Sequence, residues 1–380
     1  DAWKVAGNTN VWSIISGDED LGYVYLPFGA PTNDFYGGHR PGDNLYGNSV
    51  VCLNAKTGER VWHFQTVHHD LWDYDLPAAP NLIDIVVDGK PIKALAQVGK
   101  TGFVYTFDRE TGEPVWPIEE RPVPISTTPG EKASPTQPFP TKPAPFGTIG
   151  LTEDNIVDFT PEIKAEALEF IKQYGFAPIF SPATEKGTFS LPFNGGAGNW
   201  RGAAWDPETN MLYVMAMNMV DLLQISKPDP ARSNMDYLLP GLPTQPRLPS
   251  GIPLIKPPYA SITAINMNSG EHTWQTPVGD GIENHPKLKH LNLPPTGGGG
   301  WANPVITKTM LIAGKSGTMI GLDKATGEII DTLRIDQMGV QGLGYVSGMP
   351  ITYMQNGKQY ITFAMTNGER NGTLVGMTLP

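Results

Sequence analysis

A ten-residue unit recurs along the chain, and this repeat constrains the fold more than any other feature of the sequence. Its copies occupy residues 53–62, 107–116, 265–274 and 322–331. In each copy an Asp or Asn is followed four residues later by Gly, with apolar residues on both sides, and the first three copies end in Trp. A capping Asp or Asn and a Gly that supplies positive φ are typical of a β-hairpin, so each copy predicts two antiparallel strands.

The spacing of the copies sets the size of the larger unit. Their glycines lie at positions 58, 112, 270 and 327, so two neighbouring pairs are 54 and 57 residues apart, and the interval from 112 to 270 is near three such periods. A four-stranded sheet fits this length, and radial repetition of such sheets is a β-propeller. The sequence therefore predicts an all-β propeller with five to six four-stranded blades. The Trp that ends a hairpin is expected to dock against the next blade.

Composition supports many turns and excludes several classes of protein. The 380 residues include 43 Gly and 37 Pro, and only 17% are charged, which disfavours a helical bundle, a coiled coil and a charge-driven disordered segment. The net charge of −11 and the lack of a Lys/Arg run argue against a nucleic acid partner. The single cysteine, Cys52, is expected to be a buried strand residue. No apolar run approaches the ~18 residues that a bilayer-spanning helix needs.

Two proline-rich stretches fall outside the repeat. We expect an extended surface insertion at 121–190, with one helix at 161–174 that starts after a capping Thr160. A second insertion is expected at 226–258. With these two excursions, residues 1–380 are predicted to form a single propeller domain that is incomplete at its N-terminus and opens mid-blade.

The densest group of polar side chains lies directly after the first hairpin, in residues 66–75. Two histidines and three carboxylates occur within eight residues here: His68, His69, Asp70, Asp73 and Asp75. Such a set is compatible with a metal site, a general base, or a polar lattice that locks one blade to the next. The residues alone leave these three alternatives open.

A second candidate site residue is Lys100, which lies 27 residues after Asp73 and is flanked by Gly99 and Gly102. The glycines allow a flat ligand to approach the cation closely, whereas an exposed turn lysine is the plainer interpretation.

Three further positions place an aromatic ring beside an amide or a glycine-rich loop. They are Trp12, Asn199 next to Trp200, and Trp301. Each is suited to stacking on a planar cofactor, although core packing alone also accounts for any one of them.

Several separate motifs together resemble one enzyme family. Residues 67–80, followed at the appropriate distance by 99–102 and 108–112, resemble the pyrroloquinoline quinone (PQQ) dependent dehydrogenases, most closely the membrane-type glucose, quinate and shikimate branch. The likeness extends to the segments 134–140, 198–200, 300–304 and 356–361, and so runs essentially end to end. It implies an eight-bladed propeller, and the chain is similar to its C-terminal two-thirds.

The resemblance also implies roles for individual residues. Asp73 matches the family's catalytic base and a metal contact, and Lys100 matches the cation that hydrogen-bonds the quinone oxygens. Trp12 matches the indole beneath the PQQ ring, and Thr32 matches a threonine that contacts PQQ.

Two more positions and two departures complete the comparison. Asn199 and Trp301 are similar to further positions that line the cofactor. The chain lacks the vicinal cysteine pair of some relatives. The calcium-binding asparagine of methanol-oxidising relatives aligns near Ala30, so that ligand is missing, as in the glucose branch.

The function implied by the resemblance is PQQ-dependent oxidation of a sugar or polyol hydroxyl, with glucose-type aldose to lactone foremost. A Ca²⁺ or Mg²⁺ ion would act as Lewis acid while hydride passes to C5 of the quinone. Asp73 would remove the hydroxyl proton, and Lys100 would stabilise negative charge on the quinone oxygens.

The resemblance further implies that ubiquinone or a cytochrome c accepts the electrons in the periplasm, with membrane contact only through parts absent from this chain. The alternative is a non-catalytic scaffold like the propellers of outer-membrane assembly, which would show the repeat without a central acid and lysine. A third hypothesis, a propeller hydrolase, would need a nucleophile or a closed set of carboxylates, and we locate neither in the sequence.

Overall fold

Antiparallel strands make up nearly all the regular structure of the computed structural model, which describes residues 7, 9–300, 303–315, 317–334, 345–366 and 372–378. Blade I consists of β1 (Ser16–Asp18), β2 (Tyr23–Pro27), β3 (Ser49–Asn54) and β4 (Arg60–Gln65). Blade II consists of β5 (Asn81–Val87), β6 (Lys90–Val98) and β7 (Val104–Asp108). Outside the blades, β8 (Ile118–Pro122) pairs with β9 (Thr136–Pro140), and helix α1 (Pro161–Ile171) and β10 (Thr188–Ser190) follow.

The second half of the chain continues the same pattern. Blade III contains β11 (Ala203–Asp206) and β12 (Met211–Met217), and after β13 (Asp221–Leu223), which pairs with β10, it is completed by β14 (Ala260–Asn266) and β15 (Glu271–Pro277). Blade IV consists of β16 (Asn303–Ile306), β17 (Met310–Lys315), β18 (Thr318–Asp323) and β19 (Ile329–Arg334). Blade V consists of β20 (Tyr345–Gln355), β21 (Lys358–Thr366) and β22 (Gly372–Thr378). Two short 3₁₀ helices span Glu153–Asn155 and Lys289–Leu291.

The first strand of each blade contacts the first strand of the next. β1 lies against β5, β5 against β11, β11 against β16, and β16 against β20. The blades therefore follow one another in chain order around a common axis, with their first strands innermost. This is the propeller that the hairpin repeat predicts, with five blades in the described part of the chain.

The predicted hairpin turns are confirmed at all four positions, although the second strand of the copy at 107–116 is reduced to an isolated bridge. Their turn glycines have φ between 72° and 78°, a conformation that residues with a Cβ rarely adopt. Asp108 Oδ1 accepts hydrogen bonds from the backbone N–H groups of Glu110 at 2.9 Å and Thr111 at 3.0 Å. Asn54 and Asp323 cap their turns in the same way.

Trp62 and Trp274 each dock their blade against the next, as expected. Trp62 Nε1 of blade I donates to a hairpin carbonyl of blade II at 3.1 Å, and Trp274 Nε1 of blade III donates to a hairpin carbonyl of blade IV at 3.3 Å. The rings cover the turn glycines of these hairpins so closely that a Cβ on Gly112 would lie 2.7 Å from the Trp62 ring, and one on Gly327 would overlap Trp274.

An ion pair reinforces the same contacts. Arg109, next to the capping aspartate of blade II, donates from Nε to Asp18 Oδ2 of blade I at 2.7 Å. Lys324, at the corresponding position of blade IV, donates to Asp206 Oδ2 of blade III at 2.7 Å. The repeated sequence therefore encodes both the turn and the joint between neighbouring blades.

The expectation that three periods lie between Gly112 and Gly270 is wrong. The hairpins at these glycines belong to blades II and III, whose first strands are in contact, and the interval is filled by two insertions at 117–202 and 218–259. Blade II also departs from four strands, since its fourth position is reduced to an isolated bridge at Pro114, which has no N–H to donate to a ladder.

The proline-rich insertions differ from the expected surface excursions. Helix α1 starts after Thr160, whose side chain accepts a hydrogen bond from the backbone N–H of Ile163, but it ends at Ile171, three residues before the predicted end at 174. The two insertions share one hydrophobic core. It includes Ile163 and Ile171 from the helix of the first insertion and Leu254 from the second. Packing of one insertion against the other thus buries apolar surface that neither could bury alone.

The structure also bears on the expected burial of Cys52 and on the search for a membrane-spanning helix. Cys52 is fully buried in β3, where burial raises the pKa of its thiol to about 12. None of the helices in the described ranges is long and apolar enough to cross a membrane.

Replacement of Gly112 by Ala tests the joint between blades. Gly112→Ala adds a Cβ both at positive φ and against the Trp62 ring, whereas Gly58→Ala adds one at a similar φ with no atom within 4 Å. Positive φ alone costs about 1–2 kcal/mol, and overpacking adds about 1–3 kcal/mol. Denaturant unfolding should therefore show a larger loss of stability for Gly112→Ala than for Gly58→Ala, and equal losses would contradict the proposed joint.

Candidate active site

The order of antiparallel strands sends alternate connections to opposite ends of each blade. The repeated hairpins, which join third to fourth strands, lie at one end. The connections from second to third strands, and from one blade to the next, lie at the other end, which we call the loop face. In the described ranges the loop face is built from residues 28–48, 66–80, 99–103, 117–202, 218–259, 278–300 and 317. Both candidate segments from the sequence, 66–75 and 99–102, lie on this face.

Asp70 shapes the first of these segments. Its Oδ1 accepts a hydrogen bond from the Trp72 N–H at 2.8 Å, and its Oδ2 accepts from the Tyr74 N–H at 2.7 Å and from Asn48 Nδ2 at 2.8 Å. Burial raises the pKa of the Asp70 carboxyl to about 6, and the hydrogen bonds from Trp72 and Asn48 oppose that rise. The three bonds fold the chain around Asp70 and place Asp73 at a φ of 60°.

The two histidines are likewise held by hydrogen bonds to neighbouring segments. His68 contacts Gln65 Oε1 at 2.8 Å through Nδ1 and Glu120 Oε1 at 3.0 Å through Nε2. His69 contacts Gly42 O at 2.6 Å through Nδ1 and Glu131 Oε1 at 2.8 Å through Nε2, and both side chains of this second pair are almost fully buried. Of the three alternatives left open by the sequence, the polar lattice describes these histidines and Asp70.

Asp73, Asp75 and Lys100 form the charged centre of the loop face. Lys100 Nζ lies 2.9 Å from Asp73 Oδ1 and 3.1 Å from Asp75 Oδ2. The Lys100 side chain is 6% exposed, Asp75 is 11% exposed and Asp73 is 21% exposed, so Asp73 is the most accessible of the three. A third carboxylate, Asp34, is electrostatically coupled to both Asp75 and Lys100.

Both Asp73 and Lys100 have pKa values above their usual ranges. Burial, reinforced by the Asp75 and Asp34 carboxylates, raises the pKa of Asp73 well above its usual range, although Lys100 opposes the shift. Burial alone would lower the pKa of Lys100, but the Asp73 and Asp75 carboxylates outweigh it and raise that pKa. The site thus contains a permanent cation next to a carboxyl group that holds its proton unusually well.

Glycines bring a second loop close to Lys100. A Cβ on Gly196 would overlap the Lys100 side chain, and one on Gly198 would lie 2.8 Å from Val98 Cγ1. The Ala197 N–H donates to Lys100 O at 2.9 Å. Only a glycine-rich loop can approach this closely, and Asn199 lies on this loop, two residues after Ala197.

Trp12 joins the site from the start of the chain. Its indole lies beside Gly29, where a Cβ would be 3.1 Å from Trp12 Cδ1 and 2.9 Å from Asp75 Oδ1. The backbone N–H of Ala30 donates to the same Asp75 oxygen. Trp12 is 46% exposed, so a large aromatic surface next to the carboxylates faces outward. The exposed indole thus lies near Asp75, which in turn contacts Lys100, and this combination suits a flat ligand that carries anionic groups.

The other predicted site residues are Thr32, Asn199 and Trp301. Thr32 is exposed on the 28–48 connection, two residues from Asp34. Asn199 uses its side chain within its own loop, since Nδ2 donates to Gly195 O at 2.7 Å and Oδ1 accepts from the Trp200 N–H at 2.7 Å. Trp301 lies outside the described residues.

Sequence reasoning missed Asp75 and Asp34 as members of the site. Asp75 was visible as the last acid of the 66–75 cluster, two residues after Asp73, but nothing in the sequence separated it from Asp70. Asp34 carried no signal, because its approach to Asp75 depends on how the 28–48 connection folds back over the blade.

The described residues contain no group of three or more His, Cys, Asp or Glu side chains arranged to hold a metal ion. The predicted metal contact, Asp73, instead lies beside Lys100. A cation held there would need donors from a bound ligand as well as from the protein.

Comparison with known proteins gives this arrangement its context. Residues 1–361 match the PQQ family described as "Glucose/ethanol/alcohol dehydrogenase, beta-propeller domain". The chain belongs to this family. Its similarity to the quinoprotein glucose dehydrogenase of Escherichia coli (strain K12) is 31% identity over 401 residues, which covers 97% of this chain and 48% of that protein. A probable quinate dehydrogenase (quinone) of Xanthomonas campestris pv. juglandis is also 31% identical, with 99% of this chain and 50% of that protein covered.

Solved structures agree on the fold. The quinohemoprotein alcohol dehydrogenase from Comamonas testosteroni superimposes with a TM-score of 0.61 at 20% identity, covering 98% of this chain and 48% of that chain. A europium-containing methanol dehydrogenase superimposes with a TM-score of 0.59 at 19% identity, covering 94% of this chain and 51% of that chain. The chain thus spans about half the length of the curated relatives that it matches.

Asp73→Asn is expected to stabilise the ligand-free quinoprotein chain at neutral pH. Because its pKa is raised, the folded state binds the Asp73 proton more tightly than the unfolded chain does. The stabilising contribution of this group is therefore complete below about pH 4 and is lost as pH rises through the folded-state pKa. An amide does not titrate, so the variant should melt about 1–3 °C above wild type at pH 7 and match it near pH 4.

The control is Asp88→Asn, in the exposed β5–β6 turn at the opposite end of blade II. It should change the melting temperature little at either pH. A lower melting temperature for Asp73→Asn at pH 7 would mean that the ion pair with Lys100 outweighs the burial of the carboxyl group.

Proposed function

We propose that this chain carries the catalytic face of a quinoprotein dehydrogenase that uses PQQ to oxidise a hydroxyl group of a sugar or related polyol. Glucose-type oxidation of an aldose to its lactone is the leading candidate. The observation that carries the proposal is the contact of 2.9 Å between Asp73 and Lys100, nearly buried, on the loop face of the propeller.

A purely structural role does not readily explain a nearly buried group of a lysine and two carboxylates. Desolvation of two ions usually offsets their mutual attraction, so a buried pair adds little stability by itself. The joints between blades already rest on the hairpin tryptophans and on the Arg109 and Lys324 ion pairs at the other end. Ionisable groups with shifted pKa values on an open face are typical of catalytic sites. This argument favours an enzyme over the non-catalytic scaffold.

Asp73 is suited to act as the general base. Its side chain is the most exposed of the central groups, and its raised pKa brings it closer to the pKa that an efficient base needs near neutral pH. The Asp70 lattice fixes the backbone on which Asp73 stands, so the carboxylate meets the substrate hydroxyl in a preorganised position.

Lys100 is suited to stabilise negative charge. The two neighbouring carboxylates raise the pKa of Lys100 and keep it protonated despite its burial, and the Gly196 contact holds its side chain in place. A preorganised cation in a site with little water stabilises an oxyanion far more than a solvated one does.

The residues present fit the expected cofactor. Lys100, Trp12, Thr32, Asn199 and Trp301 would hold PQQ, and Asp73 would contribute a ligand to Ca²⁺ or Mg²⁺. When bound, PQQ supplies the hydride acceptor and the metal ion supplies Lewis acidity. We further propose ubiquinone or a cytochrome c as electron acceptor and the periplasm as location, by analogy with the membrane-type glucose and quinate branch.

The test is reconstitution of the 380-residue chain with PQQ and Ca²⁺, followed by dye-linked assays on glucose, quinate and glycerol. Asp73→Asn should lower kcat by roughly 10²- to 10⁴-fold, the typical contribution of a positioned base, while the affinity for PQQ changes little. Lys100→Met should weaken PQQ binding as well as turnover. Asp88→Asn, at the opposite end of blade II, should behave as wild type.

Two results would contradict the proposal. Full turnover in Asp73→Asn would remove Asp73 as the base. Failure of the wild-type chain to bind PQQ would remove the quinoprotein assignment for the chain as it stands.

A further inference from the structure

The lysine turn of blade II has a counterpart in blade IV. Residues 99–102 read Gly-Lys-Thr-Gly, and residues 314–317 read Gly-Lys-Ser-Gly. Lys100 precedes the hairpin glycine Gly112 by 12 residues, and Lys315 precedes Gly327 by the same number. The repeat that builds the blades therefore places a lysine twice at the same point of a blade.

The strand order gives the position of this second lysine. Lys100 follows β6, the second strand of blade II, and Lys315 ends β17, the second strand of blade IV. Both lie where the second strand turns into the third, which is the loop face. Blade III, between them, carries the 218–259 insertion at the corresponding connection.

Lys315 is buried but lacks a carboxylate partner of the kind that Lys100 and Lys324 have. Its side chain is 1% exposed, and Nζ donates to Gly300 O. Lys100 and Lys324 each lie within 4 Å of a carboxylate, whereas across the described ranges no Asp or Glu oxygen comes that close to Lys315 Nζ. A buried ammonium without a counter-ion is unfavourable, and an anion that reaches it is bound correspondingly well.

A second cation, Arg201, makes an uncompensated charge on Lys315 still less favourable. Burial and the positive charge of Arg201 together lower the pKa of Lys315 to about 7, although Asp280 opposes both. Arg201 stacks on the Trp200 ring, with its guanidinium carbon 5.0 Å from the ring centroid. It belongs to the same loop as Gly196, which packs on Lys100, so the positive potential extends from Lys315 toward the proposed active site.

Space for a ligand lies next to the Lys315 side chain. A cavity of about 520 Å³ is bordered by Lys315, Asp280, Glu283, Gly299 and Arg334. The Glu283 carboxylate is engaged elsewhere, because its Oε1 accepts hydrogen bonds from both the N–H and the hydroxyl of Thr296. The neighbouring glycine loop offers close backbone approach, since Gly297, Gly299 and Gly300 all have positive φ.

We propose that Lys315, supported by Arg201, is a second anion-binding pole of the loop face and takes a carboxylate group. The choice of ligand rests on the proposed function, which supplies two sources of that chemistry. One is PQQ itself, a tricarboxylate, and the other is a substrate that carries a carboxylate beside its hydroxyl groups, as quinate does. Neutral polyols would gain nothing from this pole.

The test compares wild type with Lys315→Met, Arg201→Gln and Lys308→Met. Lys308 is an exposed lysine of the same blade, in the β16–β17 turn at the opposite end, and serves as the matched control. Thermal melting should show that Lys315→Met is at least as stable as wild type, because it removes a buried charge that has no carboxylate partner.

Binding is then measured by tryptophan fluorescence for PQQ, and by calorimetry on the PQQ-loaded chain for quinate and glucose. A charge-assisted hydrogen bond corresponds to about a ten- to hundredfold change in affinity. Weakening of PQQ by this factor in Lys315→Met and Arg201→Gln, with Lys308→Met unchanged, would assign the pole to the cofactor. Unchanged PQQ binding with weaker quinate and unaltered glucose binding would assign it to the substrate.

Unchanged affinity for both PQQ and quinate in Lys315→Met and Arg201→Gln would overturn the inference. If the wild-type chain does not bind PQQ, the proposed function fails, and the pole is tested separately by calorimetry with citrate. Citrate binding that is lost in Lys315→Met would then support the pole, and citrate affinity that is the same in both chains would overturn it.

Discussion

The contact between Lys100 and the carboxylates of Asp73 and Asp75 is the interaction on which the candidate site depends. It joins the connection between blades I and II to the lysine turn of blade II, so it exists only if both lie at the same end of the propeller. Its members are nearly buried, and their desolvation must be offset by geometry that other residues hold in place. The Asp70 lattice and the close approach of Gly196 provide that geometry.

The hairpin end of the propeller, opposite the loop face, supplies contacts that join neighbouring blades. There a hairpin tryptophan and an ion pair from Arg109 or Lys324 join blade I to blade II and, in the same way, blade III to blade IV. Because stability is concentrated in regular joints at that end, the loop face can carry long insertions and partly uncompensated charge. The two insertions pack on each other as well as on the blades, which explains how stretches so rich in proline become buried.

Comparison of the sequence expectations with the structure shows where local reasoning is sufficient. The hairpins and the docking of Trp62 and Trp274 are confirmed, because an Asx cap, a positive-φ glycine and a terminal Trp act over a few residues. Period counting between Gly112 and Gly270 was wrong, since a repeat length carries no information about insertions. The catalytic, metal and cofactor roles of the six predicted site residues stay predictions: Asp73, Lys100, Trp12, Thr32, Asn199 and Trp301.

The sequence by itself determined the all-β class, the blade unit, the family and the pairing of Asp73 with Lys100 as candidates, because each depends on short motifs or their spacing. Only the tertiary structure separated Asp70 and the histidines, whose side chains bond to other residues of the loop face, from Asp73 and Asp75, which contact a cation. It alone brought Asp34, Trp12 and Gly196 to that centre, and it alone showed that Lys315 is buried without a carboxylate partner. Such contacts join residues far apart in the chain, and their energies depend on burial and distance, which no local pattern encodes.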